Sequence, residues 1–285
     1  MGTIAGFHLI SRQGGIRYCD HCCQTATGAT RATRATRATR AACASPRPES
    51  CARAFVPETR FGNWFLKTYT WRHHVLRVAI EDLVRLAHGA IPQAPVILDA
   101  GCGHGQSLPL LHRYFAPSRL IGFDCFAPAL SDAQTHVRSA GISVDLRAGD
   151  CAAIPLPDAS CDIVFCHQTF HHLVHQEAAL SEFYRVLKPH GLLCFAESTE
   201  AYIRSWVIRL LFRHPMHVQR SATGYLDMIR AAGFTFGPEN VSYPYLWWSR
   251  AKDFGLLERL KLQRRPAFGA REETLVNVVA RKPRA

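Results

Sequence analysis

The sequence predicts an α/β protein with a mostly parallel sheet covered by helices on both faces. Three observations carry this. From residue 96 onward, short apolar runs alternate with segments of helical periodicity, the order that produces parallel strands joined by crossover helices. The first run, Val96-Ile-Leu-Asp99, breaks into a turn with glycines at alternate positions, Gly101, Gly103 and Gly105. The next two runs lead into acids, Asp124 and Asp150, at the end where ligands bind in such sheets.

The elements follow in order. Residues 1–55 read as a separate, disordered extension: Ala-Thr-Arg occurs four times in succession over 29–40, with no period that could bury a face. Cys19-Asp-His-Cys-Cys23 within it has the look of half a metal site, but no second ligand pair stands at zinc-finger spacing. The Arg-rich, acid-poor composition also fits a transit peptide, or translated sequence upstream of the true start. From Phe61 the texture changes. Trp64, Phe65, Tyr69, Trp71, Val75, Val78, Ala79, Leu83 and Leu86 recur at helical spacing and predict one or two amphipathic helices before the first strand.

Strands are predicted at 96–99, 119–123, 143–147, 162–166 and 191–196. The clearest helix between them is 176–187, with Ala179, Leu180, Phe183, Val186 and Leu187 on one face and Lys188-Pro-His-Gly191 as its stop. A further helix is expected over 202–212, with Tyr202, Ile203, Trp206, Val207, Leu210 and Leu211 on one side. Another is expected near 224–232. Late strands near 241–246 and 273–280 bracket a basic, aromatic insertion at 247–265.

Composition narrows the function classes. The chain carries 34 Lys and Arg against 22 acids, a net charge of +12. Nine of the Arg and only three acids fall in residues 1–60, so nucleic acid is not an expected partner. No apolar run approaches the ~18 residues of a membrane span, and no secretory leader is evident, so a soluble, cytoplasmic protein is expected. Six of the eleven cysteines (Cys102, Cys125, Cys151, Cys161, Cys166, Cys194) fall in or beside strands, as reduced thiols used as small apolar groups would.

The glycine turn separates ligand classes. A dinucleotide fingerprint, G-x-G-x-x-G, would put its third glycine at 106, where this chain has Gln106. A phosphate-binding loop with its lysine is also absent. Five motifs in sequence are more specific: Asp99-Ala-Gly-Cys-Gly-His-Gly105; Gly122-Phe-Asp124; Gly149-Asp150 with Ile154-Pro-Leu-Pro-Asp-Ala-Ser-Cys-Asp-Ile-Val164; His171-His-Leu173; and Arg185-Val-Leu-Lys-Pro-His-Gly191. Over about residues 96–196 the chain resembles the class I S-adenosylmethionine-dependent methyltransferases, in their small-molecule type 11 branch. Ile154, Cys161 and His190 depart from the usual Leu, Phe and Gly, and none of these is expected to touch a cofactor.

The resemblance implies a Rossmann-like, doubly wound, seven-stranded sheet whose last strand is antiparallel, and S-adenosyl-L-methionine as cofactor. Asp99, Gly101, Cys102, Gly103, Asp124, Cys125, Asp150, Cys151 and His167 are the implied cofactor-binding residues. Asp99 would orient the methionine ammonium, Asp124 the ribose hydroxyls, and Asp150 with the Cys151 N–H the adenine. His167 and His171 are candidates for a base or for positioning the acceptor, since imidazole titrates near neutrality. The His171-His172 pair also fits a packed structural role. A metal among His167, His171, His172 and His175 is disfavoured by the lack of an accompanying acid or cysteine pattern. The acceptor is expected to be a small or lipophilic molecule, methylated at O, N or C. Peripheral membrane contact through the aromatic and Arg-rich segments is an alternative to plain packing. Two other readings remain: an inactive cofactor-binding partner subunit, and an NAD(P)-dependent oxidoreductase.

Overall fold

The computed structural model describes residues 56–250, 256–264 and 266–284. The repeat, the Cys19 to Cys23 motif and part of the 247–265 insertion lie outside the described residues. Seven strands form one sheet: β1 Val96–Ala100, β2 Arg119–Asp124, β3 Asp145–Ala148, β4 Cys161–His167, β5 Leu187–Ser198, β6 Val241–Ser242 and β7 Leu275–Arg281. Their order is β3-β2-β1-β4-β5-β7-β6. The first five are parallel, and β7 runs antiparallel between β5 and β6. β1 pairs with β2 on one side and with β4 on the other, the chain crossing from β3 back to β4, and that reversal opens a crevice beyond the strand ends.

Helices cover both faces because each strand alternates its apolar residues. Ile97, Leu120, Ile163 and Cys194 face one way, into a core shared with α2 (Arg77–Leu86), α3 (Leu108–Phe115) and α4 (Ala127–Ser139). Leu98, Ile121, Val164 and Phe195 face the other way, toward α5 (Gln176–Val186) and α8 (Ala222–Ala231). Among the described residues, no helix is long and apolar enough to cross a membrane.

Three local expectations are corrected. Before β1, the chain forms α1 (Arg60–Phe65) and then a π-helical turn, Trp71–Leu76, that runs directly into α2. Val75, Leu76 and Ile80 are buried there, while Trp64 and Tyr69, ahead of the turn, are exposed. After β5, the single helix expected over 202–212 is two short ones, α6 (Glu200–Ile203) and α7 (Trp206–Leu211), separated by an extended Ser205. Ile203 and Ile208 are the buried anchors. Five positions on a straight helix would put them about 140° apart, so the break lets both face inward. It also turns Trp206 and Leu210 out, at 67% and 72% exposure. Finally, β6 is only two residues long, and β5 begins at Leu187, directly after α5.

Candidate active site

The turn after β1 is shaped by its glycines and by Asp124 from the neighbouring strand. Gly101 takes φ +86°, and a Cβ there would fall 2.1 Å from the Thr169 side chain. Gly105 takes φ +75°, and a Cβ there would fall 2.8 Å from the Cβ of Ala133 on α4. The third glycine therefore serves packing of helix against turn. Asp124 ends β2 and ties the turn down: Gly103 N–H donates to Oδ2 and Phe126 N–H to Oδ1, each at 2.8 Å. Burial raises the Asp124 carboxyl above its ordinary range.

Asp99, at the end of β1, is buried and accepts a hydrogen bond from the Ser107 hydroxyl. Burial pushes its carboxyl up to about 7, against the Ser107 bond and with the nearby Asp124 charge adding to the rise. Asp99, Gly101, Cys102, Gly103, Asp124 and His167 line one cleft of about 840 Å³. A recess lined by Gly101, Asp124, Cys125, Asp150, Cys151 and Thr169 continues it along the strand ends. All nine cofactor-binding candidates thus stand around one trough. Asp150 accepts from the Ala152 N–H at 2.9 Å, which aims the loop after β3.

His167 closes the trough near Trp71, with ring centroids 5.7 Å apart. Burial lowers it to about 3, with His171 as a second cause. It does not titrate near neutrality, contrary to the expectation from free imidazole, and at neutral pH it is an uncharged ring. His171 stands elsewhere, on the wall of a second cleft of about 1130 Å³. Glu58, Leu66, Trp71, Gln168 and His172 line both clefts and form the passage between them. The second cleft is otherwise aromatic and aliphatic, with Phe61, Phe65, Ile208 and Trp247 in its walls.

Several residues here escape sequence reading. Glu197, fully buried near the end of β5, accepts from the N–H groups of Thr169 and Phe170 at 2.8 and 2.7 Å and from His171 Nδ1 at 2.6 Å. His214, from the loop after α7, packs its ring 4.7 Å from His172 and 5.1 Å from His171. Gln219 holds that loop in place by donating to the backbone oxygens of His171 and Pro215. Glu58 Oε1 lies 3.4 Å from His172 Nε2 and 3.7 Å from His214 Nε2. His175, grouped with these by sequence, is instead exposed at the start of α5. Only an acid following a strand, as Glu197 does, gives any local hint of its place.

Known proteins place this geometry. Residues 98–195 match a family described as a methyltransferase domain. A Mycolicibacterium smegmatis protein described as a probable S-adenosylmethionine-dependent methyltransferase is 35% identical over 151 residues, 53% of this chain and 55% of that one. The fatty-acid O-methyltransferase of the same organism is 29% identical over 128 residues, covering 43% and 46% of the two chains. The chain therefore spans about half the length of these relatives. In fold, an S-adenosylmethionine-dependent methyltransferase from Aquifex aeolicus superposes with a TM-score of 0.54 at 17% identity, over 84% of this chain and all of that one.

The trough fits such a cofactor on its own chemistry. Two carboxyl groups, Asp99 and Asp124, face a turn with no lysine, which suits ribose hydroxyls and a cationic amino acid and repels phosphate. Asp99 and the glycine turn would hold the methionine part, Asp124 the ribose, and the Asp150 recess the adenine. S-adenosyl-L-methionine is the cofactor. Residues 98–195 carry a methyltransferase domain, and the chain is similar to S-adenosylmethionine-dependent methyltransferases.

Proposed function

We propose that the protein transfers a methyl group from S-adenosyl-L-methionine to a lipophilic small molecule bearing one polar group, methylated at O, N or C. The observation that carries this reading is the second cleft. Its lining is mostly apolar, and Glu58, Gln168 and His172 among its polar groups also line the cofactor trough. An apolar body would lie among Phe61, Phe65, Ile208 and Trp247, with its polar group toward Glu58 and His172.

The cofactor supplies a methyl group already activated on a sulfonium, so the protein's task is placement. Trp71 and Gln168 wall the passage and keep water from it, and neutral His167 offers a hydrogen bond without adding charge beside the sulfonium. The fatty-acid methylating relative supports an acceptor of this chemistry. Exposed Trp206 and Leu210, next to exposed Arg209, support delivery of such an acceptor from an anionic membrane surface.

Turnover tests the reading. Incubation with S-adenosyl-L-methionine and a panel of fatty acids, isoprenoid phenols and lipophilic amines is expected to release S-adenosylhomocysteine in step with a methylated product. Asp124→Ala is expected to lose cofactor binding and turnover together. Tight cofactor binding with no product from any lipophilic acceptor would favour a non-catalytic partner subunit instead.

A further inference from the structure

The walls of the second cleft hold more ionisable groups than an apolar pocket needs. His171, His172 and His214 bring one ring nitrogen each to within 4.8 Å of one another. Their rings are buried, with centroids 4.4 to 5.1 Å apart. The free oxygen of Glu58 faces two of them, because its other oxygen accepts from the backbone N–H groups of Thr59 and Arg213. Three imidazoles and a carboxylate gathered at one place are a donor set of the kind that holds a transition metal.

We propose that His171, His172, His214 and Glu58 form a binding site for a divalent transition metal of the Zn2+ class, at the passage between the cofactor trough and the acceptor cleft. The buried Glu197 carboxylate accepts from His171 Nδ1, which fixes the tautomer and leaves the Nε2 lone pair for the metal. A carboxylate behind a ligating histidine in this way is the usual support for a metal-bound imidazole. In a tetrahedral zinc site with Zn–N of about 2.0–2.1 Å, neighbouring nitrogens lie about 3.4 Å apart. The ring nitrogens stand within 4.8 Å of one another, so metal binding would draw the rings together.

The site is assembled from four places in the chain: the segment before α1, the turn after β4, the end of β5 and the loop after α7. No spacing rule in the sequence connects them. Its use in catalysis rests on the function proposed above: expansion to five-coordination would let an oxygen of the acceptor bind beside the methyl donor. Metal binding itself does not depend on that reading.

The test uses the full-length, untagged protein, stripped with chelator and titrated with Co2+ and then Zn2+. The expected result is one Co2+ per chain with visible d–d absorption and no thiolate charge-transfer band, and displacement by Zn2+. His214→Ala is expected to weaken Co2+ binding at least tenfold while S-adenosylhomocysteine affinity stays within about twofold as a check on folding, and Glu58→Gln is expected to weaken Co2+ binding by a smaller factor. Absence of stoichiometric binding would overturn the proposal. So would binding of equal affinity in His214→Ala, or a thiolate band assigning the ion to cysteines. A variant that no longer binds S-adenosylhomocysteine is replaced by His214→Gln, read by the same criteria. If Co2+ binds as expected but no acceptor turns over, the metal site stands and the acceptor reading falls.

Discussion

At the scale of single residues, a cofactor bound as proposed would couple its binding to the protonation of Asp99. Its carboxyl titrates at about 7 in the folded protein and near 3.8 when exposed, because burial disfavours the charged form. Below pH 3.8 it is protonated in both states. As pH rises from there to about 7, the unfolded chain ionises and the folded one does not, so this group's support for folding is lost across that window. A cationic ammonium beside Asp99 would favour the ionised form and draw the proton off. Cofactor affinity is therefore expected to rise with pH up to about 7, by at most tenfold per unit, and then to level off. Titration calorimetry in buffers of different ionisation enthalpy should detect the released proton at pH 6. The same proton release from Asp99→Asn would sink the assignment.

At the scale of elements, the α5-to-β5 junction shows how a local departure is absorbed. Where the family pattern has glycine, His190 takes φ +65°, a left-handed conformation unfavourable for a residue with a Cβ. Its N–H donates to Lys282 O at 2.9 Å and Lys282 N–H returns to Gly191 O, so β7 holds the turn in place. His190→Gly removes the strain and keeps both bonds. It is expected to raise unfolding free energy by roughly 0.5–1 kcal/mol in urea titrations, since the entropy cost of glycine offsets part of the relief. No gain, or a loss, would mean that the imidazole contributes something the backbone does not show. The same scale explains α6 and α7. The apolar stripe over 202–212 is legible as helical, but which residues face inward depends on where β5 ends and on the break at Ser205, and neither is encoded by periodicity.

At the scale of the whole molecule, the two halves of the function are built differently. The cofactor trough follows the C-terminal ends of successive parallel strands. The second cleft, proposed above for the acceptor, is lined largely by segments before β1 and after β5, with Gln168, His171 and His172 from after β4. Those same segments carry the exposed Trp206 and Leu210. If acceptors arrive from a bilayer, Trp206→Glu with Leu210→Glu should sharply reduce co-sedimentation with anionic phospholipid vesicles and leave S-adenosylhomocysteine affinity unchanged. Equal sedimentation of the two proteins would assign that face another role.

The sequence by itself determined the parallel sheet and, through its family resemblance, the antiparallel last strand; it also singled out nine residues that the fold places along the strand ends. These depend on short-range order: a strand, a turn and an acid at its tip occupy fewer than ten consecutive residues, and the next unit repeats the pattern. Only the tertiary structure decided the neutrality of His167, the outward turn of Trp206 and the meeting of Glu58, His171, His172 and His214. Burial and contact between segments far apart in the chain set those properties. Glu197 shows the difference most directly: in the sequence it is one acid after a strand, and in the fold it is the buried group that orients His171.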